Sequence, residues 1–226
     1  MIRVAVLDDY QNVALAFGDW SSFGPDVELV VFHDHLHDEN AIVERLSGFD
    51  VIAAMRERTP FGRDLLHRLP KLRLLITTAM ANASIDLQCA TELGIMVCGT
   101  GGLGYPTAEL TWGLILAATR HIATEDAAVR RGLWQTTVGL GLRDKKLGII
   151  GLGRLGSEVA VIGKAFQMKV MAWSQNLTVE RAMECGATLV SKDELFADSD
   201  IVTIHLKLSD RTLGLVGARD LALMKR

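Results

Sequence analysis

The sequence predicts two consecutive α/β domains, each built on a parallel sheet. Three observations predict it. Short apolar runs alternate with segments of helical spacing along the first part of the chain. A second alternating region starts near Leu147, and a cluster of glycines with one proline separates the two. The strands are almost wholly apolar, which is the pattern of a parallel sheet covered on both faces rather than of a sheet with one wet side.

In order, the predicted strands of the first domain are Ile2 to Leu7, Val27 to Phe32, Asp50 to Met55, Leu72 to Thr77 and Gly94 to Cys98. Helical spacing fills the gaps at Asn40 to Leu46, Gly62 to Leu69 and Ile85 to Leu93. The stretch CGTGGLGYPT holds Gly99, Gly101, Gly102, Gly104 and Pro106, a density that marks a hinge or domain boundary. A long apolar helix follows from about Thr107; its core, Leu110 to Ala118, reads as buried. A polar stretch around Arg130 to Lys146 leads to the second region. There, strands are expected at Leu147 to Ile150, Lys169 to Trp173, Ala187 to Val190 and Asp200 to Leu206. Helices are expected after Gly156, near Val179 to Cys185, after a capping box formed by Ser191 and Glu194, and over GARDLALMKR, whose leucines, alanines and methionine share one side.

The glycine spacing carries chemistry because of where it sits. Gly151, Gly153 and Gly156 follow an apolar strand, open a helix and precede a second strand by about a helix's length. Gly151 permits the tight turn, Gly153 lets the backbone approach a pyrophosphate, and Gly156 lets helix and strand pack closely. The helix start then offers unpaired N–H groups to phosphate oxygens. A dinucleotide, NAD or NADP, is the expected ligand. An acid commonly ends the second strand of such a unit and grips the ribose 2′-hydroxyl. Here Ser174 stands in that place, and the nearest following arginine is Arg181. Serine can bond a hydroxyl and does not repel a 2′-phosphate, so the residue type admits both nucleotides.

Composition narrows the rest. Among 226 residues, 49% are hydrophobic and 23% charged, and the formal net charge is −3 with the signs interspersed. That balance gives no reason to expect nucleic acid or an anionic membrane as partner. No apolar run approaches the roughly 20 residues of a membrane span. Cys89, Cys98 and Cys185 are widely spaced, odd in number and set among apolar residues, which points to reduced thiols and a cytoplasmic location.

Taken with ASIDLQCATELGIMVCGT, TAELTWGLILA, LGIIGLGRLG, MKVMAWSQN, DELFADSDIVTIHLKLSDRTLGLVG and LALMK, the chain resembles the D-isomer-specific 2-hydroxyacid dehydrogenases. That group includes phosphoglycerate dehydrogenase and the hydroxypyruvate and glyoxylate reductases. The resemblance implies a flavodoxin-like substrate domain over residues 1–98 and a Rossmann domain over residues 99–226, with the active site in the cleft between them and a homodimer as the assembly of the complete form. It implies hydride transfer between the nicotinamide and a small 2-hydroxy or 2-oxo acid. Arg154 and Leu155 would lie on the pyrophosphate, Ser174 near the adenosine ribose, Thr107 close to the nicotinamide, and His205 with Leu206 on the adenosine side. The backbone amides of Ala79, Met80 and Ala81 would bind the substrate carboxylate, with Arg56 facing the cleft. The family often has glycine at the positions of Ala79 and Ala81.

The resemblance also implies an incomplete second domain. The family's catalytic Arg, Glu and His come after the LALMK helix, so no catalytic residue is assigned within these 226 residues, and they are expected to be inactive by themselves. The count of elements agrees: a sheet ordered 3-2-1-4-5-6 needs two more strand–helix units of roughly 30 residues each. Asp200 to Leu206 is then expected as an exposed edge strand. The rival expectation is a remnant that binds nucleotide or a partner without catalysis.

Two other patterns carry competing readings. Asp8 and Asp9 after the first strand resemble the paired acids of a receiver domain, but the third strand ends in Met55 and Arg56 where a phosphoacceptor Asp is needed. His33, His35 and His37 would face one way on an extended segment and could hold zinc. They also read as a solvated loop with Asp38 or Asn40 capping the next helix, and no metal is expected.

Overall fold

The computed structural model describes residues 1–209 and 211–225. Arg226, the end of the terminal helical reading, lies outside the described residues. The chain divides into two compact units, Met1–Gly102 and Leu103–Arg226.

The first unit runs β1 (Ile2–Val6), β2 (Val27–Val31), α1 (Glu39–Leu46), β3 (Val51–Ala54), α2 (Arg63–His67), β4 (Leu74–Thr77), α3 (Leu87–Glu92) and β5 (Met96–Gly99). All strands are parallel, in the order β2-β1-β3-β4-β5. The order turns back at β1, so the carboxyl ends of β1 and β3 form the switch point where open α/β sheets take ligands. The core beneath is aliphatic with two phenylalanines: Ala5, Ile52 and Leu75 from the strands meet Leu46, Phe49, Phe61 and Leu65. Helix starts are local. The Asp38 carboxylate accepts from the Ala41 N–H at 2.9 Å, and Asp86 accepts from Cys89 at 2.8 Å, each satisfying an orphan donor of its helix.

The second unit runs α4 (Pro106–Thr119), α5 (Ile122–Arg130), β6 (Lys146–Ile150), α6 (Arg154–Ala165), β7 (Lys169–Trp173), α7 (Val179–Glu184), β8 (Thr188–Leu189), α8 (Lys192–Asp198), β9 (Ile201–Ile204) and α9 (Ala218–Leu223). Its four parallel strands are ordered β8-β7-β6-β9. That is the 3-2-1-4 portion of a dinucleotide-binding sheet. β9 is an edge strand, and Ile204 at its end is exposed. Ser191 and Glu194 make the expected capping box at α8.

Three readings are corrected. The Leu110–Ala118 helix is not buried all round: α4 buries Ala108, Trp112 and Ile115 but leaves Leu110 64% and Leu114 62% exposed. A helix apolar around its circumference reads as buried, yet the fold covers only one side of it. The apolar residues at the end of the chain do not act as one side either: Leu221 is exposed, Met224 packs against Ile150, Leu195 and Phe196, and Asp220 is buried and ion-paired with Lys192 at 2.8 Å. Cys98 is exposed, whereas Cys89 is buried and Cys185 half-buried, and all three thiols are free. No described helix is long and apolar enough to cross a membrane.

Candidate functional site

The carboxyl end of β6 gathers most of the predicted nucleotide residues. Register places Ile150 opposite Trp173 of β7 on one side and opposite Ile204 of β9 on the other. The Gly151 N–H donates to the Trp173 carbonyl at 2.8 Å, and the His205 N–H donates to the Ile150 carbonyl at 2.8 Å. Gly151, Ser174, His205 and Leu206 therefore stand together at the mouth of three adjacent strands.

The three glycines have different reasons to be there. Gly151 has φ +93°, and a Cβ on it would come within 2.6 Å of Leu206 Cδ2 and 2.8 Å of the His205 carbonyl oxygen. A Cβ on Gly156 would overlap the Gly151 carbonyl, so the helix start is tied to the strand end. Gly153 is the contrast: its φ of −79° suits any residue, and a Cβ there meets nothing within 4 Å. The protein itself gives no steric reason for glycine at 153. α6 begins without a side-chain cap, as α2, α4 and α5 also do, so its first N–H groups are left to another acceptor. An anion with a bulky backbone-hugging shape fits both facts.

Arg154, the first residue of α6, reaches the glycine-rich segment: a Cβ on Gly104 would overlap its guanidinium. Thr107 lies just beyond, in the first turn of α4, exposed, with its carbonyl accepting from the Thr111 hydroxyl at 2.7 Å. Leu155 is half-buried in the same first turn of α6. The His205 ring nitrogen Nε2 lies 2.9 Å from the Thr203 hydroxyl, and burial pushes the ring's pKa below the usual imidazole range. The ring is thus neutral at pH 7, and its hydrogen-bonding partner is a hydroxyl rather than a carboxylate.

The predicted substrate residues gather at the other sheet, on the loops after β3 and β4. Arg56 has φ +55°; its N–H donates to the Thr78 hydroxyl at 3.1 Å, and its guanidinium is exposed beside Glu57 at 3.8 Å. Ala79 has φ +155°, a conformation that favours glycine, and its N–H donates to the Thr77 carbonyl at 3.0 Å. The expected trio of carboxylate-binding amides is thereby narrowed to Met80 and Ala81; both residues are exposed, and no described protein group accepts from their N–H groups.

Sequence reading missed what holds this loop. Asn82 is buried and donates to the Arg56 carbonyl at 2.6 Å and to the Thr77 hydroxyl at 3.0 Å, while its own oxygen accepts from Ser84 N–H at 2.9 Å. Gly99 lies underneath, where a Cβ would come within 2.6 Å of the Ala79 carbonyl oxygen. The Asn-x-Ser spacing, an Asx turn, was the available signal.

Asp8 and Asp9, just past the end of β1, are buried. Asp8 accepts from Thr59 at 2.8 Å and lies 2.8 Å from His35 Nδ1; Asp9 accepts from the Val13 and Ala14 amides. Those amides hold the Asp9 carboxyl below the usual carboxylate range. The three imidazoles do not converge: His33 turns to the Asp9 carbonyl at 3.1 Å, and His35 stacks edge-on against His37. The segment is pinned by His35 rather than simply solvated. Among the described residues, no group of three or more His, Cys, Asp or Glu side chains could hold a metal ion.

Residues 112–226 match the family described as D-isomer specific 2-hydroxyacid dehydrogenase, NAD binding domain. The chain is 44% identical over 173 residues to a glyoxylate reductase of Aeropyrum pernix, covering 72% of this chain and 52% of that protein. It is 33% identical over 231 residues to a D-3-phosphoglycerate dehydrogenase of Bacillus subtilis, covering 100% of this chain and 42% of that one. The chain thus spans about half the length of these relatives. In structure it is similar to a phosphoglycerate oxidoreductase from Vibrio cholerae, with a TM-score of 0.92 at 36% identity, covering 100% of this chain and 73% of the other.

Proposed function

The chain belongs to the D-isomer specific 2-hydroxyacid dehydrogenase family, and on that premise we propose that residues 1–226 provide the nucleotide grip and the substrate-carboxylate loop of an NAD(P)-dependent oxidoreductase. The reaction is hydride transfer involving C2 of a small 2-hydroxy or 2-oxo acid, the bound nicotinamide supplying the hydride chemistry. Residues 1–226 contribute binding and orientation, and the proton that accompanies the hydride needs a separate acid–base group. The second unit is the dinucleotide-binding domain. In it, the amides at the start of α6, with Arg154 and Leu155, hold the pyrophosphate over Gly153. Ser174 meets the adenosine ribose, His205 and Leu206 border the adenosine, and Thr107 serves the nicotinamide end. The first unit is the substrate domain, in which the Met80 and Ala81 amides and Arg56 receive the carboxylate.

The observation that carries this reading is the open space above Gly153, next to an uncapped helix start. A polypeptide of these 226 residues is expected to bind NADH or NADPH and not to turn over. Its cofactor-side histidine, His205, has a hydroxyl partner and is held neutral by burial, and among the described residues no carboxylate pairs with it to tune it as a proton carrier. Nucleotide titration followed by nicotinamide fluorescence tests the binding. Robust NAD(P)H-dependent reduction of glyoxylate or hydroxypyruvate by protein of verified mass would overturn the second expectation.

The assembly proposed is a homodimer. Leu110 and Leu114 on α4, Ile122 and Val129 on α5, and Trp134 and Val138 beyond it are all exposed apolar residues of one unit. Exposed apolar groups in that density mark protein contact surfaces. Light scattering on wild type and Leu114→Asp checks it: a monomeric wild type would refute the dimer.

A further inference from the structure

A cleft of about 180 Å³ opens in the second unit beside the end of β7. Ser174, Gln175 and Asn176 line one side; Leu206, Arg211 and Thr212 line the other. Its position is that of the adenosine ribose in a dinucleotide-binding sheet, where an acid selects the 2′-hydroxyl or an arginine accepts the 2′-phosphate. Among the described residues, no carboxylate lines this cleft, and Arg211 is its one cation. We propose that Arg211, reaching the ribose site from the turn after β9, makes the protein select NADP over NAD.

The arginine comes from an unusual direction, which is why sequence order does not reveal it. Arg181, the nearer arginine in sequence, is engaged on its own helix with Glu184 at 3.1 Å and does not line the cleft. The turn that carries Arg211 is held in place. The Thr212 hydroxyl accepts from the Ser209 N–H at 2.8 Å and donates to the Lys207 carbonyl at 2.7 Å. At the turn's far end, Lys192 donates to the Leu215 carbonyl while its ammonium is paired with buried Asp220 at 2.8 Å. A turn fixed at both ends presents its guanidinium with less ordering cost on binding. A guanidinium fork matches a phosphate in both charge and geometry, and Ser174, Gln175 and Asn176 add uncharged donors. A 2′-hydroxyl, by contrast, finds no carboxylate among the described residues of the cleft to accept from it.

The inference rests on the second unit being a dinucleotide site, and the test separates the two. The 226-residue chain is titrated with NADPH and with NADH at low salt, by nicotinamide fluorescence. Competition by adenosine 2′,5′-bisphosphate and by AMP reads the same subsite without the nicotinamide. NADPH is expected to bind about tenfold more tightly than NADH, the size of one charge-assisted contact. The bisphosphate should outcompete AMP by a similar factor, and both differences should shrink as salt is raised. Arg211→Ala should abolish the difference, Arg211→Lys should keep part of it, and Ser174→Asp should reverse it. NADH binding as tightly as NADPH, or Arg211→Ala weakening both by the same factor, would overturn the proposal and leave the dinucleotide reading intact. If neither nucleotide binds, that reading fails and this inference with it.

Discussion

In the second unit the loop after β6 is shaped by its own glycines, whereas in the first unit the loop after β4 is shaped by side chains that arrive from elsewhere. Gly151 and Gly156 are constrained by atoms of the loop and its neighbouring strand end, and Gly153 stands open. The β4 loop instead carries a non-glycine residue, Ala79, at φ +155°. It is held by Asn82 across to Arg56, by Thr77 and Thr78, and by the bare floor at Gly99. The first arrangement is a backbone cradle that any residue with a Cβ would fill. The second is a hydrogen-bonded bridge between two loops, which tolerates side-chain variety in the loop as long as the bridge stands.

Four substitutions break or sharpen that contrast. The largest effect is expected at Gly156. In Gly156→Ala the added methyl overlaps a backbone oxygen that cannot swing aside, and about 3 kcal/mol of stability should be lost. Urea unfolding measures it; an unchanged midpoint would mean that helix and strand do not pack as closely as described. Next comes the bridge of the first unit. Asn82→Ala leaves the Arg56 carbonyl and the Thr77 hydroxyl without their donor, at a cost of about 2 kcal/mol. Raised hydrogen exchange should appear in both loops, and exchange confined to the β4 loop would show that they are not coupled.

Gly153→Ala isolates ligand from fold. Unfolding should shift by no more than about 0.5 kcal/mol, since the backbone there suits alanine. Nucleotide affinity should fall roughly tenfold, about 1.4 kcal/mol. Wild-type affinity in this variant would remove the main support for a pyrophosphate over that position. The smallest effect has the opposite sign. Ala79→Gly relieves a backbone conformation that costs an L-residue on the order of 1 kcal/mol or more, offset by glycine's larger entropy loss, for a net gain of roughly 0.5 kcal/mol. A loss of stability instead would mean that the Ala79 methyl makes packing contacts worth more than the strain.

Much of this molecule was readable from residue order. Apolar runs of strand length, separated by helical spacing, predicted both parallel sheets, and their order in the second unit agrees with the expected 3-2-1-4 arrangement. Asp38 and Ser191 announced their helices because a cap bonds to an amide three residues away, a purely local event. The glycine motif was legible for the same reason: its turn, its close packing and its open position all lie within six residues. α4 was misread because its composition records only that it is apolar, not how much of its circumference the rest of the fold covers.

What lay beyond the sequence are the contacts that join residues far apart in it. Order along the chain places Arg181 nearest to Ser174, yet the cleft beside Ser174 is lined by Arg211, because β9 runs alongside β6 and delivers its following turn to the same mouth. Asn82 bridges to Arg56 because β3 and β4 are neighbours in the sheet. Buried Asp220 of α9 pairs with Lys192 of α8, a contact that the pattern of leucines along α9 does not announce. Propensity, capping and glycine geometry act over one turn or one strand, so residue order alone determined the elements and the shape of the nucleotide loop. Which cation faces the ribose site, and what braces the substrate loop, depends on which strands lie side by side, and only the tertiary structure decided that.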